Sequence, residues 1–316
     1  MREMNRRSIL QGAMGGLAGL ALAPFATNVL AASKQTPAEK PATAKLNDKL
    51  SVISGVGGNV VALAADDGVL LVDTGAPESG RALMAQLRKL PGRGKVHTVF
   101  NTHYHIDHTG SNEVFGKGGA RIVAHEKTKQ WLAIDHWVPG EERYEKARAK
   151  QAVPTETFYT TGKTTESGEQ IEYGYLMEAH TSGDAYVFFK DSNVLVVGDA
   201  VANGADPVLD WFAGGWVGGR VDSHDLLLKL CNDQTRIVPG SGALMTKAQL
   251  QAERDMTQKI YDRMTELVRK GFTDKDMLDA GVLEGLGHTW TDAKSFMYAA
   301  SKGLWAHHNT LSHDVV

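Results

Sequence analysis

Cysteine is almost missing from this chain of 316 residues, where Cys231 stands alone. One thiol cannot close an internal disulfide, and it excludes a metal site built on several cysteines. Any bound metal must therefore be held by histidine and carboxylate. A surplus of positive charge is missing too, with 34 basic residues against 37 acidic ones. Arg2, Arg6 and Arg7, but only Glu3, fall in the first 32 positions, so the remainder is more acidic still. Without a basic cluster, no nucleic-acid partner is expected. No internal repeat is present, and the length suits one large domain or two small ones. With 42% apolar and 22% charged residues, the chain can bury an ordinary globular core.

Long apolar runs are scarce as well, and the one candidate, Gly12 to Ala26, lies near the start. Asn5-Arg6-Arg7-Ser8-Ile9-Leu10-Gln11 precedes it. Paired arginines before a Gly-rich apolar stretch resemble a twin-arginine export signal. The run is short for a membrane span and is interrupted by glycines and Pro24, so no stable membrane anchor is expected. Residues 1–32 are read as a signal peptide cleaved near Val29-Leu30-Ala31. The mature chain is then periplasmic or secreted, delivered by the twin-arginine export machinery. Residues 33–46, rich in Ala, Lys, Thr and Pro, read as a linker. Residues 47–316 form the domain, with a helical extension from about residue 247.

From Leu50 the pattern turns to strands. Ser51 to Ser54, Asn59 to Leu63 and Val69 to Val72 are short β-branched runs, and Asp66-Asp67-Gly68 signals a hairpin between the last two. Glu78 to Leu90 carries Leu83, Met84, Leu87 and Leu90 on one helical face, and Pro91-Gly92 ends it. Further strands are expected at Val96 to Phe100, Arg121 to Ala124, Tyr186 to Phe189 and Val194 to Val197. Helices are expected at Glu141 to Gln151, Leu226 to Leu230, Lys247 to Lys270 and after Asp274. Hairpins followed by strand–helix alternation argue for a layered α/β fold.

The chemistry is concentrated in His103-x-His105-x-Asp107-His108, which follows the strand ending at Phe100. His103 and His105 are two apart, so an extended backbone projects both to one side. A turn after them brings Asp107 and His108 around a second point. Imidazoles and carboxylates are the ligands zinc takes when cysteine is absent.

This motif resembles the hallmark of the metallo-β-lactamase superfamily, whose members include β-lactamases, glyoxalase II, lactonases and persulfide dioxygenases. Further landmarks fall in the family's order: Leu71-Val72-Asp73-Thr74-Gly75, His180-Thr181-Ser182-Gly183-Asp184, Val197-Gly198-Asp199 and Val238-Pro239-Gly240-Ser241-Gly242. The resemblance implies an αββα sandwich with metals in a cleft at one edge of the two sheets. It implies that His103, His105 and His180 hold one metal, and that Asp107 and His108 hold a second, with Asp199 bridging or leaning toward the second. Asp73 is expected as a buried group behind the ligands that fixes loop geometry. Where two-metal members usually carry a further histidine, this chain has Ser241, a weak ligand at best, so the resemblance implies one or two zinc ions per chain. His224 is a conceivable substitute, but Val221 to Asp225 reads as an exposed helix start.

Zinc-activated hydroxide would attack an electrophilic carbonyl of a small ester, lactone, lactam or thioester, with Asp107 as the catalytic group that orients it and relays its proton. Alternatives are an iron-dependent persulfide dioxygenase with one metal, and a periplasmic binding or sensing protein without catalysis. The stretch around Trp211, Phe212 and Trp216 either walls the substrate pocket or packs the core. The insertion from Trp131 to Thr165 is a candidate lid. Met256, Ile260, Met264 and Leu267 in the tail suggest packing or an oligomer contact.

Overall fold

Alternating apolar residues and tight turns build the first sheet directly from local sequence. The structure, a computed structural model, describes residues 40–139 and 143–311; the export signal and its cleavage site lie outside the described residues. Ala42–Lys45, expected within a linker, forms β1, an exposed edge strand antiparallel to β2 (Leu50–Val56). An exposed edge strand fills no core, so composition alone did not reveal it. β3 (Gly58–Ala65) and β4 (Gly68–Val72) continue the meander. Asp66-Asp67 makes their turn, closed by the pair Ala65 and Gly68. After α1 (Gly80–Leu87) the chain returns as β5 (Val96–Phe100), parallel to β4. A single turn of helix, α2 (Ile106–Thr109), then α3 (Asn112–Lys117), lead to β6 (Arg121–His125), parallel to β5.

The helix α4 (Glu126–Ala133) precedes a separate hairpin, β7 (His136–Val138) with β8 (Arg143–Glu145). The helix expected from Glu141 to Gln151 is thus replaced, in its described part, by β8 and a short turn at Lys150–Ala152. Charged residues on a solvated segment serve a strand as well as a helix, because neither buries a periodic face. β9 (Glu156–Phe158) closes the first sheet in the order β1-β2-β3-β4-β5-β6-β9.

The second sheet runs β10 (Thr161–Glu166), β11 (Glu169–Tyr175), β12 (Ala185–Phe189), β13 (Val194–Gly198) and β14 (Arg236–Pro239). It is antiparallel except for the last pair, which is parallel and joined through α5 (Val217–Leu230). α6 (Lys247–Val268), α7 (Asp274–Asp279) and α8 (Ala293–Leu311) follow.

The two sheets pack face to face. Leu63, Leu70, Val72, Phe100 and Val123 meet Val187, Phe189, Val194, Val196 and Val238 between them. On the outer face of the first sheet, Val69, Leu71, Val99 and Ile122 meet Leu83, Leu87 and Phe115 of the helices. On the outer face of the second, Phe188, Leu195, Val197 and Ile237 meet Leu227 and Leu250. Strands such as β4 are buried on both faces, which explains their unbroken apolar runs. Each buried Val or Leu contributes about 1.5–3 kcal/mol. The result is the expected αββα sandwich. A fourth cluster joins α6, α7 and α8 through Ile260, Met264, Met277, Phe296, Met297 and Leu304. Among the described residues, no helix is long and apolar enough to cross a membrane.

Candidate metal centre

Strand ends place the chemistry. β4 ends just before Asp73, β5 leads into His103 to His108, β13 ends just before Asp199, and β14 ends at Pro239, before Gly240. The turn between β11 and β12 adds His180. Two groups result: His103, His105, His180 and Asp199, and beside them Asp107, His108 and Asp199 again.

In the first group the donor atoms face one another across 3.0 Å between His105 Nδ1 and His180 Nε2. His103 Nε2 and His180 Nε2 each lie 3.7 Å from Asp199 Oδ2. Ligands about 2.0–2.1 Å from a tetrahedral zinc lie about 3.3–3.4 Å from one another, so this spacing fits. In the second group His108 Nε2 stands 3.5 Å from Asp199 Oδ1 and 3.7 Å from Asp107 Oδ2. The two oxygens of Asp199 thus serve the two groups separately, as a bridging carboxylate does.

The other nitrogen of each ring is already committed. His108 Nδ1 donates to Asp73 Oδ2 at 2.8 Å, and His180 Nδ1 to the Val208 carbonyl at 2.9 Å. Thr102 Oγ1 donates to Asp73 Oδ2, which leaves it to accept from His103 Nδ1 at 3.1 Å. His105 Nε2 donates to Asp210 Oδ2 at 2.9 Å. Each ring therefore turns a lone pair inward. His103 Nε2 is buried without any hydrogen-bond partner. An imidazole nitrogen stranded in this way fits a cation, since a desolvated acceptor with no partner is otherwise costly.

Electrostatics follow the same arrangement. Burial, then the neighbouring histidines, hold His103 well below its ordinary pKa, and burial lowers His180 as well. Burial also acts to lower His108, but the carboxylates of Asp199, Asp73 and Asp107 outweigh it and hold the ring at about 10. Burial acts to raise Asp199, and the surrounding histidines with Arg220 bring it below the usual carboxylate range. A cation at these rings replaces the protons they would otherwise share.

Asp73 is buried behind His108. It lies in the left-handed region at φ 63° and accepts from Thr102 N, Thr102 Oγ1 and His108 Nδ1. Gly240 brings the last turn against the second group. A Cβ added there would fall 1.8 Å from Asp199 Oδ1 and 2.9 Å from His108 Cε1. Ser241 follows on an exposed turn.

The expected exposure of His224 is corrected. His224 is fully buried inside α5, where Nε2 donates to the Ala200 carbonyl at 2.8 Å, and it joins neither group. Its helix starts at Val217, and the poor helix formers Gly218 and Gly219 hid that start. Trp211 and Trp216 pack against the cluster of C-terminal helices. Trp216 stacks on His307 at 4.2 Å. Both tryptophans are partly buried against these helices, while Phe212 is exposed.

Two residues of the site escaped sequence reasoning. Asp210 accepts from His105, from Tyr104 Oη and from Ala213 N. Burial acts to raise it, but the bonds from His105 and Tyr104 prevail and hold it at about 2. Asp184 accepts from His180 N and from Thr181 N and Oγ1, and so shapes the turn that presents His180. Asp184 sat within the quoted motif, a usable signal; Asp210 had none.

The sequence profile of the metallo-β-lactamase superfamily matches residues 53–242. The α subunit of 2,4-dinitroanisole O-demethylase from Nocardioides sp. (strain JS1661) is 28% identical over 148 residues, 46% of this chain and 41% of that protein. The match thus spans about two fifths of that relative's length. A metallo-β-lactamase from Pontibacter korlensis superposes with a TM-score of 0.55 at 20% identity, over 69% of this chain and 99% of that one. The stereoselective inverting sec-alkylsulfatase Pisa1 from Pseudomonas sp. gives 0.62 at 15% identity, over 84% of this chain and 50% of its own. Both structural likenesses concern the fold. The profile runs from the first sheet through every strand end that carries a ligand, and the chain belongs to the metallo-β-lactamase superfamily.

Proposed function

We propose that this chain is an exported metal-dependent hydrolase that opens an electrophilic carbonyl of the ester, lactone, lactam or thioester class. The observation that carries the reading is the convergence of imidazole nitrogens on the two oxygens of Asp199, with His103 Nε2 left without a partner. His103, His105, His180 and Asp199 would hold one ion, and Asp107, His108 and Asp199 a second. Bound zinc supplies Lewis acidity and lowers the pKa of a water from about 15.7 to about 7.

The chain's own residues do the rest. Asp107 is the most open of the acidic groups, with its side chain 52% exposed. Its carboxylate can therefore hold the attacking water and take its proton. Tyr104 cannot serve as a proton donor to substrate, because its hydroxyl is committed to Asp210. Ile106, between His105 and Asp107, and Val208, whose carbonyl anchors His180, both expose apolar side chains, as does Phe212 beside Trp131. This rim supports a substrate with an apolar portion. Two of the similar proteins carry the names of hydrolases, a metallo-β-lactamase and an alkylsulfatase.

The test is metal content by plasma mass spectrometry, followed by turnover of 4-nitrophenyl esters, lactones, lactams and thioesters before and after chelation. One or two zinc per chain is expected, with turnover lost on chelation and restored by zinc. Asp107→Asn is expected to reduce turnover about 100-fold or more. Failure to take up zinc would sink the reading. Iron, with oxygen consumed on a persulfide, would replace it with the dioxygenase. For export, Arg6→Lys with Arg7→Lys is expected to keep the protein in the cytoplasm; unchanged export would remove that part of the proposal.

A further inference from the structure

Beneath Asp199 lies a buried ionic network that the ligand set does not use. Arg220 of α5 is 1% exposed, one of the largest side chains to be so deeply buried. Its Nη1 donates to the Asp199 carbonyl at 3.1 Å and leans toward the Val208 carbonyl at 3.5 Å. Those two carbonyls are significant. One belongs to the bridging ligand, and the other accepts the Nδ1 proton that orients His180. Arg220 Nη2 donates to Glu253 Oε1 at 3.0 Å.

Glu253 lies on α6, within the C-terminal extension. Besides Arg220 it accepts from Ala202 N at 2.7 Å and from Asn203 N at 3.2 Å, in the loop that leaves Asp199. Burial acts to raise the pKa of Glu253, but Arg220 and His224 hold it below the usual range, so it stays ionised. The same loop is tied again by Asn203 Nδ2, which donates to the Ala243 carbonyl at 2.7 Å, and by Asp206, which accepts from His288 Nε2. Ala202 to Ala205 line a cavity of about 270 Å³ with Met245, Met256 and His288. Nearest Asp199, the backbone N–H groups of Ala202 and Asn203 are held by Glu253.

We infer that Glu253 and Arg220 are positioning residues, a latch through which the C-terminal helices set Asp199 and His180 at the metal spacing. The inference rests on the metal-centre reading above. It gives the extension a task in the site, beyond packing. A buried pair that merely stabilised the fold would be a poor investment, because desolvation offsets most of its attraction. A pair whose remaining donor group reaches the backbone of Asp199 and the carbonyl that orients His180 has a geometric use.

The test measures zinc affinity by competition with a chromophoric chelator, and the visible spectrum of the cobalt-loaded protein. Glu253→Gln leaves Arg220 unpaired. Arg220→Lys keeps the charge but loses the fork that reaches both Glu253 and the carbonyls. Each is expected to weaken zinc 10- to 100-fold and to change the cobalt bands, with the far-ultraviolet circular dichroism unchanged. Should Glu253→Gln fail to fold, Arg220→Lys carries the test. Thr257→Val serves as the control, because its hydroxyl bonds only to the Glu253 carbonyl of its own helix. It is expected to lower stability and leave affinity within twofold. Unchanged affinity and spectrum in a folded Arg220→Lys would overturn the latch while leaving the metal centre standing. An equal loss in Thr257→Val would also overturn it, as general destabilisation. A wild-type chain that binds neither zinc nor cobalt would overturn the metal centre, and the latch with it.

Discussion

Asp210 Oδ2 accepts from both Tyr104 and His105, so the two donors can be separated by mutation. Asp210→Ala frees the His105 ring to rotate and lets its proton sit on either nitrogen. Zinc affinity is expected to fall 10- to 100-fold, as happens when the partner of a ligating histidine is removed. Tyr104→Phe removes only the second donor, and its zinc affinity is expected to stay within a fewfold of wild type. Chelator competition on both variants decides the matter; equal affinities for Asp210→Ala and wild type would show that His105 is held some other way. The six candidate ligands were legible because four of them crowd into His103 to His108, and His180 and Asp199 stand in further motifs that fall in the superfamily's order. Asp210 was not. It lies 105 positions from His105, in a loop whose tryptophans and glycines drew attention elsewhere.

At the scale of elements, α5 shows how a buried ionisable group couples a helix to pH. His224 is fully buried and neutral, its pKa pushed down to about 4 by burial, with Arg220 opposing and Glu253 favouring its charge. In the unfolded chain it titrates near 6.5. The folded value is the lower one, so the stability contributed is full above about pH 6.5 and is lost as pH falls toward 4. At pH 5.5 that loss is about 1.4 kcal/mol. His224→Gln keeps a donor for the Ala200 carbonyl and removes the titration. Urea unfolding at pH 7.5 and 5.5 is expected to show wild type losing about 1 kcal/mol more than the variant over that interval. Parallel losses would mean that His224 is protonated in the folded state. The helix itself was only half visible beforehand, because its first turn contains Gly218 and Gly219 and its buried face is polar. β1 and β8 were missed for the complementary reason: they are exposed, so no apolar alternation marks them.

For the whole molecule, the metal centre joins the two sheets. Candidate ligands from the segment that follows β5 meet others from the β11–β12 turn and from the residue after β13. Bound metal is therefore a cross-link between the halves of the sandwich. With free zinc about 1,000-fold above its dissociation constant, linkage adds about 4 kcal/mol to stability. Chelation is expected to lower the melting temperature by on the order of 10 °C, read by calorimetry. A melting point indifferent to chelator would mean that the two groups do not hold metal in the folded state. The C-terminal helices share in this join, since Glu253 of α6 binds the loop that leaves Asp199.

The resemblance to the superfamily supplied the αββα plan and the places of His180 and Asp199, while the residues alone determined the His103 to His108 cluster, the strand ahead of it and a layered α/β pattern. The latter follow from local signals: spacing within a motif, alternation along a strand, and the Asp-Asp-Gly turn. Tertiary structure decided which nitrogen of each histidine faces inward, because the acceptor for the other nitrogen comes from elsewhere in the chain. His180 depends on Val208, His108 on Asp73, and His105 on Asp210. It also decided that Trp211 and Trp216 pack the helical extension, and that Glu253 reaches back to the loop beyond Asp199. Such pairings depend on which backbones come within about 3 Å of one another, and that separation is set by the packing of two sheets and their helices.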